Sequence, residues 1–288
     1  MVIALKGEGD KKLDPYIKRG INFVLSKAKE EGAIGEDAKH INYTTALSMV
    51  AIADYPDPRV KRVIEKARNF LLSLQHRPSL TIKDVWVGGF GYKKGARPDL
   101  SNTMFALMAL KKTGGVDPEA LQRALKFVQR CQNSPYNDQP WSSNDGGFIY
   151  LPGSSLAGGT KSYGSMTFSG LLCFAYLDLP REDPRVKYAF KWISENYTLE
   201  ENPGMGKQGL YYYYFVLSRA LSAYGVKVIK DKNGKEHHWA KELVEKLLSL
   251  QRRDGSWVNE ETRFWEGNPA LCTAYCLMAL QSARRFLE

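Results

Sequence analysis

The chain has 288 residues, 43% hydrophobic and 25% charged, a composition that excludes a disordered or collagen-like chain and is typical of a globular protein. Lys and Arg exceed Asp and Glu by 41 − 31 = 10, which favours an anionic partner, but no long basic run indicates nucleic acid. Four cysteines without a Cys-x-x-Cys pair exclude a disulfide scaffold, and we expect reduced thiols and no cofactor.

The N-terminus, MVIALKGEGDKK, is too short and too soon charged for a signal peptide. No run approaches the roughly 18 apolar residues of a membrane span. We therefore expect a cytoplasmic protein, although a longer precursor could carry an export signal.

Four helices are predicted to begin at Asp-Pro pairs, at Asp14, Asp57, Asp117 and Asp183. An Asp side chain accepts hydrogen bonds from the first backbone N–H groups of a helix, and Pro is tolerated at the first helical position. Apolar residues then recur at helical spacing with Lys and Arg between them, which predicts amphipathic helices. The run HHWAKELVEKLLSLQ predicts a fifth such helix without the Asp-Pro start.

A glycine-rich turn and a second helix follow each amphipathic helix. The second helices are small or apolar on nearly every face, which predicts that they are buried all round. They read INYTTALSMVAIA, LSNTMFALMALKK, YGSMTFSGLLCFAY, GLYYYYFVLSRAL and NPALCTAYCLMAL.

The second helices recur at intervals of 60, 64, 46 and 60 residues, counted between their middles at Ala46, Ala106, Gly170, Val216 and Cys276. One amphipathic and one buried helix per interval predicts stacked helical hairpins. Closing the row into a ring would cover the buried helices as an inner barrel around a deep pocket.

We therefore predict an all-α, single-domain α/α barrel of about five helical hairpins over residues 1–288. Its inner helices are buried and its outer helices amphipathic. The repeat units lie at roughly 14–55, 56–112, 113–178, 180–225 and 236–285.

The turn QRRDGSW, residues 251–257, carries a family resemblance. Gln251, Gly255 and Trp257 match the Q-W motif of squalene cyclases. The alternating hairpins resemble the α/α toroid of class II terpene cyclases and protein prenyltransferase β-subunits. Two inner helices also resemble bacterial prenyltransferase or squalene-oxidase repeat proteins. We expect the Gln to hydrogen-bond open backbone groups at the helix end and the Trp to pack on the turn.

Two further turns look like looser copies of the same motif. They pair Gln75 with Phe90 and Gln132 with Phe148. We expect the motif to be structural in all three places.

The residues that carry chemistry in the resembled enzymes are changed in this chain. Class II cyclases protonate an alkene with the middle Asp of Asp-x-Asp-Asp, whereas the matching run has Asp99 followed by Ser101 and Asn102. Protein prenyltransferases bind zinc through Asp-x-Cys and a His, whereas the matching places hold Tyr163, Ser165 and Asn102. The comparison therefore predicts no metal site and neither chemistry in its usual form.

The resemblance also suggests which residues bind a ligand. Basic residues before the inner helices would form an anion site at the mouth of the ring, beside the positive helix ends, where the prenyltransferases bind a diphosphate. Aromatic side chains would line a cavity for an isoprenoid chain or a carbocation. The predicted ligand-binding residues are Lys93, Lys94, Arg97, Asn102, Phe105, Tyr163, Ser165, Tyr211, Tyr212, Tyr214, Phe215, Arg263 and Trp265, with Lys161 and Lys207 as further basic residues.

Asp99 and Glu266 are the carboxylates predicted to face the mouth and are the candidate catalytic residues. We expect Asp99 to cap its helix and to be held ionised by the helix end and by Lys93, Lys94 and Arg97.

The resemblance implies a protein that binds a long apolar isoprenoid or lipid in a central pore, with a diphosphate as one suitable head group and peripheral membrane contact as a further expectation. It leaves open whether the ligand is turned over. A second hypothesis is a non-catalytic lipid-binding or protein-interaction toroid. A third, carbohydrate-active barrel needs a carboxylate pair across the mouth.

Because Asn102, Tyr163 and Ser165 replace the zinc ligands, purified protein should carry no stoichiometric zinc. Elemental analysis checks this expectation. One tightly bound zinc per chain, lost on substitution of any of these positions, would contradict the residue-by-residue comparison.

Overall fold

The computed structural model describes residues 1–79 and 83–287. Over these residues the chain is helical apart from one two-stranded sheet, and none of the helices has the length and apolar character needed to cross a membrane. The chain divides into two compact units, an N-terminal unit of residues 2–131 with 150–152 and a C-terminal unit of residues 132–149 with 153–288. The single domain stays a prediction.

The N-terminal unit contains six of the described helices. The first, within the N-terminal segment, was not predicted, whereas the others lie where the hairpin pattern places them. The helices are α1 (Val2–Glu8), α2 (Asp14–Ser26), α3 (Ile41–Ile52), α4 (Pro58–Leu74), α5 (Leu100–Thr113) and α6 (Pro118–Arg130).

The C-terminal unit contains five further helices and a hairpin that the sequence pattern missed. The hairpin strands, β1 (Ile229–Lys230) and β2 (Glu236–His237), are antiparallel, with Ile229 opposite His237. His237 thus lies in a strand before the outer helix, where its ring contacts Glu242 at 3.0 Å. The helices are α7 (Gly164–Tyr176), α8 (Pro184–Asn196), α9 (Leu210–Ala223), α10 (Trp239–Leu250) and α11 (Pro269–Arg284).

Three of the four Asp-Pro pairs start a helix as predicted. The carboxylates of Asp57, Asp117 and Asp183 accept hydrogen bonds of 2.9, 3.0 and 2.9 Å from the N–H two residues on. At the fourth pair α2 begins at Asp14 itself, and the preceding Leu13 forms no side-chain cap.

The two kinds of helix bury different fractions of their surface. In α5 every residue from Leu100 to Leu110 is buried, and in α7 every residue from Gly164 to Phe174. Outer helices such as α6 bury only one face. Helix α9 packs between α7 and α11, while α3 packs on α5. The prediction that the second helices are buried all round is therefore confirmed for α5 and α7, whereas it was wrong for α3 and α11, where residues such as Tyr43 and Tyr275 are only half-buried.

Gln75, which ends α4, makes two hydrogen bonds that tie a turn to the next outer helix. Its side-chain amide donates to the carbonyl of Gly88 at 3.1 Å and to that of Ala120, in the first turn of α6, at 2.8 Å. We call this arrangement a glutamine bridge. It satisfies two backbone carbonyls with one buried side chain.

Gln132 forms a second glutamine bridge with the same geometry in the C-terminal unit. Its amide donates to the carbonyl of Gly146 at 3.1 Å and to that of Arg185, in the first turn of α8, at 2.8 Å. The two copies that looked looser in the sequence therefore make the longer-range connections.

The turn glycine of each bridge is fixed by its surroundings. Gly88 and Gly146 have φ values of +95° and +92°, which side chains rarely adopt. A Cβ atom would lie 1.8 Å from the carbonyl oxygen of Arg123 at the first position and 2.1 Å from that of Tyr188 at the second. Only glycine lets the turn approach the next helix this closely.

Gln251 makes a more local contact than the other two. It is exposed, and its amide donates to the carbonyl of Gly255 in its own turn at 2.9 Å. Trp257 is 3% exposed and donates from Nε1 to the carbonyl of Leu247 at 2.8 Å. Here the indole, more than the glutamine, fastens the turn to its helix.

Gln132→Ala should lower the free energy of unfolding by about 2 kcal/mol or more, because it removes two buried hydrogen bonds, to the Gly146 and Arg185 carbonyls, and the packing of a buried side chain. Gln251→Ala is the matched control, and its loss should stay below about 1 kcal/mol because the site is open to water. Urea denaturation followed by circular dichroism measures both. Equal losses would contradict the bridge.

Candidate functional site

The predicted basic loop of the N-terminal unit is exposed and lies beside an apolar cavity. Lys93, Lys94 and Arg97 are all exposed. The two lysines line a cavity of about 310 Å³. Its other walls include Phe70 and Leu74 of the outer helix α4. The two lysines of the loop thus lie at the edge of this apolar cavity.

Asp99 caps the inner helix α5, as expected. Its Oδ1 atom accepts a hydrogen bond of 2.8 Å from the backbone N–H of Asn102, and Oδ2 accepts one of 2.7 Å from the Asn102 side-chain amide. The carboxylate is 2% exposed. Asn102, predicted to contact a ligand, instead orients this buried carboxylate.

A phenol completes the surroundings of Asp99. The Tyr150 side chain hydrogen-bonds the Asp99 carboxylate, and its oxygen lies 3.3 Å from that of Tyr92. Burial raises the pKa of Tyr150, so the phenol keeps its proton and acts as the donor.

The charge state of Asp99 has a different cause from the one expected. Burial raises the pKa of Asp99 to about 6, and the hydrogen bonds from Asn102 and Tyr150 only partly oppose this. The expectation that loop cations would hold the pKa down was wrong, because desolvation dominates and the loop lysines are exposed. Both oxygens of Asp99 accept hydrogen bonds within the fold and the side chain is buried, so Asp99 is poorly placed to protonate a ligand.

Two further polar groups next to Asp99 lack partners. The side-chain oxygens of Asn42 and Asn102 are buried and have no hydrogen-bond partner among the described residues. The Asn42 amide donates to the carbonyl of Gly91 at 3.0 Å, which joins α3 to the turn before α5. Tyr43 donates to the hydroxyl of Ser101 at 2.9 Å. The polar cluster therefore has two spare acceptors, one on each of these amides.

Glu266, the other candidate catalytic carboxylate, is fully buried and does not face solvent. It accepts hydrogen bonds from the backbone N–H groups of Tyr211 at 3.2 Å and Tyr212 at 2.7 Å, and from the side chain of Asn259 at 2.7 Å. Burial raises the pKa of Glu266. Glu266 was predicted to face an open mouth, whereas it is buried and caps α9, whose own N-cap is Gly209 and has no side chain to do so.

The start of α7 is capped from another loop in the same way. The Asn202 side-chain oxygen accepts from the Ser165 N–H at 2.8 Å, and its amide donates to the Ser165 hydroxyl at 3.1 Å. Asn268 caps α11 through the Ala270 N–H at 3.0 Å. Ser165 is thus a capped helix residue and not an open ligand position.

These caps correct the expected anion site. The ends of α5, α7, α9 and α11 already give N–H groups to Asp99, Asn202, Glu266 and Asn268. The backbone donors named here are therefore already bonded, so the expected anion site would have to rely on side-chain cations.

The tyrosines of α9 point in two directions. Tyr213 and Tyr214 are fully buried, and their hydroxyls donate to the carbonyls of Thr198 at 2.8 Å and Leu199 at 2.6 Å. Tyr211, 4% exposed, packs edge-on against Tyr214. Tyr214 and Tyr211, both predicted to bind ligand, therefore belong to the core.

The opposite face of α9 carries an aromatic group that we call the α9 aromatic face, made of Tyr212, Phe215 and Tyr275. Phe215 stacks on Tyr275 with centroids 5.2 Å apart, and Tyr212 lies 5.9 Å from Tyr275. The hydroxyls of Tyr212 and Ser169 lie 2.9 Å apart. Tyr212 and Tyr275 are half-buried, so this face is reachable.

The remaining predicted residues lie in varied settings. Tyr163 is buried directly before α7, and Phe105 is buried against Tyr43 at a centroid distance of 5.1 Å. Arg263 donates to the side chain of Gln208 at 2.6 Å. Trp265 is 73% exposed.

Among the residues that the structure describes, no three His, Cys, Asp or Glu side chains converge as a metal site. The absence of zinc stays a prediction.

Sequence reasoning missed Tyr150 and Asn202. A signal existed for Tyr150, because GGFGY and GGFIY place Tyr92 and Tyr150 at the same point after a Gly-Gly turn. Asn202 gave no signal, since it caps a helix 37 residues earlier in the chain.

Comparison with solved structures identifies the fold. No protein-family model and no curated protein matches the sequence. The structure is similar to Candida albicans protein geranylgeranyltransferase-I complexed with GGPP, with a TM-score of 0.58, 14% identity and coverage of 91% of this chain and 76% of that one. The chain has the α/α toroid fold.

Two other structures are also similar. A protein from Actinoplanes has a TM-score of 0.50 and 14% identity, over 93% of this chain and 97% of that one. A type II terpene cyclase from Scytonema in complex with merosterolic acid A has a TM-score of 0.46 and 16% identity, over 99% of both chains. At these identities the likeness concerns the fold alone.

Asp99→Asn should gain stability relative to the wild type as pH rises. With a folded pKa of about 6 and an unfolded pKa near 3.9, the wild-type protein binds the proton more tightly when folded, so its stability falls as pH rises through 6. Between pH 5 and 8 this amounts to about 1.4 kcal/mol. The new amide can pair with Asn102 Oδ1, which keeps the cap satisfied.

Urea denaturation of both proteins at several pH values gives their unfolding free energies. In the difference between the two proteins, the pH dependence that comes from the other carboxylates cancels. A difference that does not change between pH 5 and 8 would contradict the raised pKa.

Proposed function

We propose that the protein binds a long apolar isoprenoid against the α9 aromatic face. The observation that carries this proposal is the mutually packed set of Tyr212, Phe215 and Tyr275 within one compact unit, in which the two tyrosines are half-buried and Phe215 is buried beneath them. Packed aromatic rings offer a rigid apolar surface on which the chain of an isoprenoid can lie. The GGPP named with the similar geranylgeranyltransferase supports this ligand class.

The proposal includes an anionic head group held near the start of α9. Arg263 is bonded to Gln208, and the carbonyl of Lys207 accepts from Asn259 at 2.7 Å, so both cationic residues are tied to the segment before the helix. Glu266 occupies the helix N–H groups there. The guanidinium and the ammonium would therefore bind the head group without help from the helix end.

Binding, and not turnover, is the function proposed. Asp99 and Glu266 are the two carboxylates predicted to be catalytic, and both are buried caps with raised pKa values. A carboxylate that gives its oxygens to helix N–H groups is held in place by the fold and is removed from direct contact with a ligand. This favours a ligand-binding protein that has the fold without the usual acid.

Tyr212→Ala should weaken geranylgeranyl diphosphate binding about tenfold or more, because it removes a half-buried ring from the proposed surface. Tyr16→Ala is the matched control, since Tyr16 is 55% exposed on α2 and should leave the dissociation constant unchanged. Isothermal titration calorimetry measures both variants, with melting temperatures recorded alongside. Equal affinities in all three proteins would refute the site.

Arg263→Ala tests separately how the head group and the isoprenoid chain of the ligand contribute to binding. It should weaken binding of geranylgeranyl diphosphate but leave binding of geranylgeraniol unchanged, because the alcohol lacks the charge. If both ligands lose affinity equally, the head group does not lie at Arg263.

A further inference from the structure

Helix α8, the residues just before it and the segment 226–230, which includes β1, line an open cavity that the proposed function does not use. Its volume is about 360 Å³, within the range of about 300–1,000 Å³ typical of small-molecule sites. None of its lining residues belongs to α7, α9 or α11. Its floor is apolar and consists of Phe190, Ile193, Val226, Val228 and Ile229.

The rim of this cavity is positively charged. Arg181, Lys187 and Lys230 line it, against the single acidic residue Glu182. Arg181 and Lys187 are exposed and form no ion pair with any described residue. Lys230 forms an ion pair with Glu236, with 3.1 Å between Nζ and Oε1. Two uncompensated cations therefore stand over an apolar floor.

The guanidinium of Arg181 lies at the boundary between rim and floor. Its carbon is 5.5 Å from the centre of the Phe190 ring, so the cation rests on an aromatic wall of the cavity. A planar guanidinium in this position can offer a pair of N–H groups to a carboxylate or phosphate while the floor below stays apolar.

Hydrogen bonds hold the walls in place. The Lys232 N–H donates to the carbonyl of Ser194 at 3.1 Å, which joins the hairpin to α8. Trp239 Nε1 donates to the carbonyl of Val226 at 2.6 Å, and Asp231 accepts from the N–H groups of the hairpin turn. The cavity is thus built before any ligand arrives, which lowers the cost of binding.

We propose that this cavity binds one molecule of an anionic amphiphile, an alkyl or prenyl chain with a carboxylate or phosphate head. The chain packs on the valine, isoleucine and phenylalanine floor, and Arg181 and Lys187 bind the head. An acidic peptide fits less well, because its backbone polar groups would be buried against the floor without partners. A flat bilayer surface does not fill a concave floor.

Titration of dodecyl phosphate, below its micelle concentration, into the full chain tests the proposal. Lys187→Glu should raise the dissociation constant about tenfold or more, as expected when an attractive charge becomes repulsive. Lys61→Glu makes the same charge change on the exposed face of α4 and should leave it within about twofold. Dodecanol, which is uncharged, should not distinguish the two variants.

Methyl NMR locates the ligand. The signals of Ile193 and Ile229 should shift on addition of dodecyl phosphate, in the wild type and in Tyr212→Ala alike. The proposal is overturned if these signals do not move, or if Tyr212→Ala and not Lys187→Glu loses binding. A last experiment adds vesicles that contain phosphatidylglycerol. If the protein binds these vesicles but not monomeric dodecyl phosphate, the proposal of a single-molecule site is overturned.

Discussion

The structure depends on satisfying the N-terminal N–H groups of helices that start in the protein interior. An outer helix can leave these donors to water or to the Asp of its own Asp-Pro pair, but the starts of the inner helices α5, α7 and α9 are buried away from water. Two of the inner helices are capped from elsewhere in the chain, α7 by Asn202 and α9 by Glu266. At these two helices the cap is therefore a tertiary contact, and it joins the helix start to a loop farther along the chain, whereas α5 and α11 are capped by the adjacent Asp99 and Asn268.

This constraint determines what the buried acids can do. A carboxylate placed at an inner-helix start is stabilised by N–H donors but loses its hydration, and for Asp99 the second effect is larger. The side chains that hydrogen-bond the Asp99 carboxylate are the amide of Asn102 and the phenol of Tyr150, and neither is a cation that would lower its pKa. Asp99 and Glu266 thus serve to hold this fold together.

The sequence predicted the fold well because its signals are local. Apolar spacing separated α5 and α7 from their amphipathic partners, and Asp57, Asp117 and Asp183 marked helix starts within two residues of the bonds they make. The site was harder. Glu266 lies in a loop and caps a helix more than 50 residues earlier in the chain. A single sequence does not indicate which distant residues will come into contact.

The aromatic run of α9 shows the same limit at the level of one helix. Helical geometry requires that the four consecutive tyrosines point in different directions, and the sequence alone could not say which face is open. The hydrogen-bond partners of the hydroxyl groups show which face is buried. Tyr213 and Tyr214 donate to loop carbonyls, whereas the Tyr212 hydroxyl hydrogen-bonds that of Ser169. Only the packing of α7 and α11 on either side leaves Tyr212 half-buried.

The cap at Glu266 is attached to a strained backbone. Phe264 and Trp265 precede it with φ values of 61° and 66°, a left-handed conformation that costs a residue with a side chain on the order of 1–3 kcal/mol. The hydrogen bonds of Glu266 to α9 hold this segment in place, so removing them would also let the two residues relax. The energetic loss on breaking this cap is therefore smaller than the sum of its hydrogen bonds, and it should be accompanied by local rearrangement of the loop more than by unfolding of the helix.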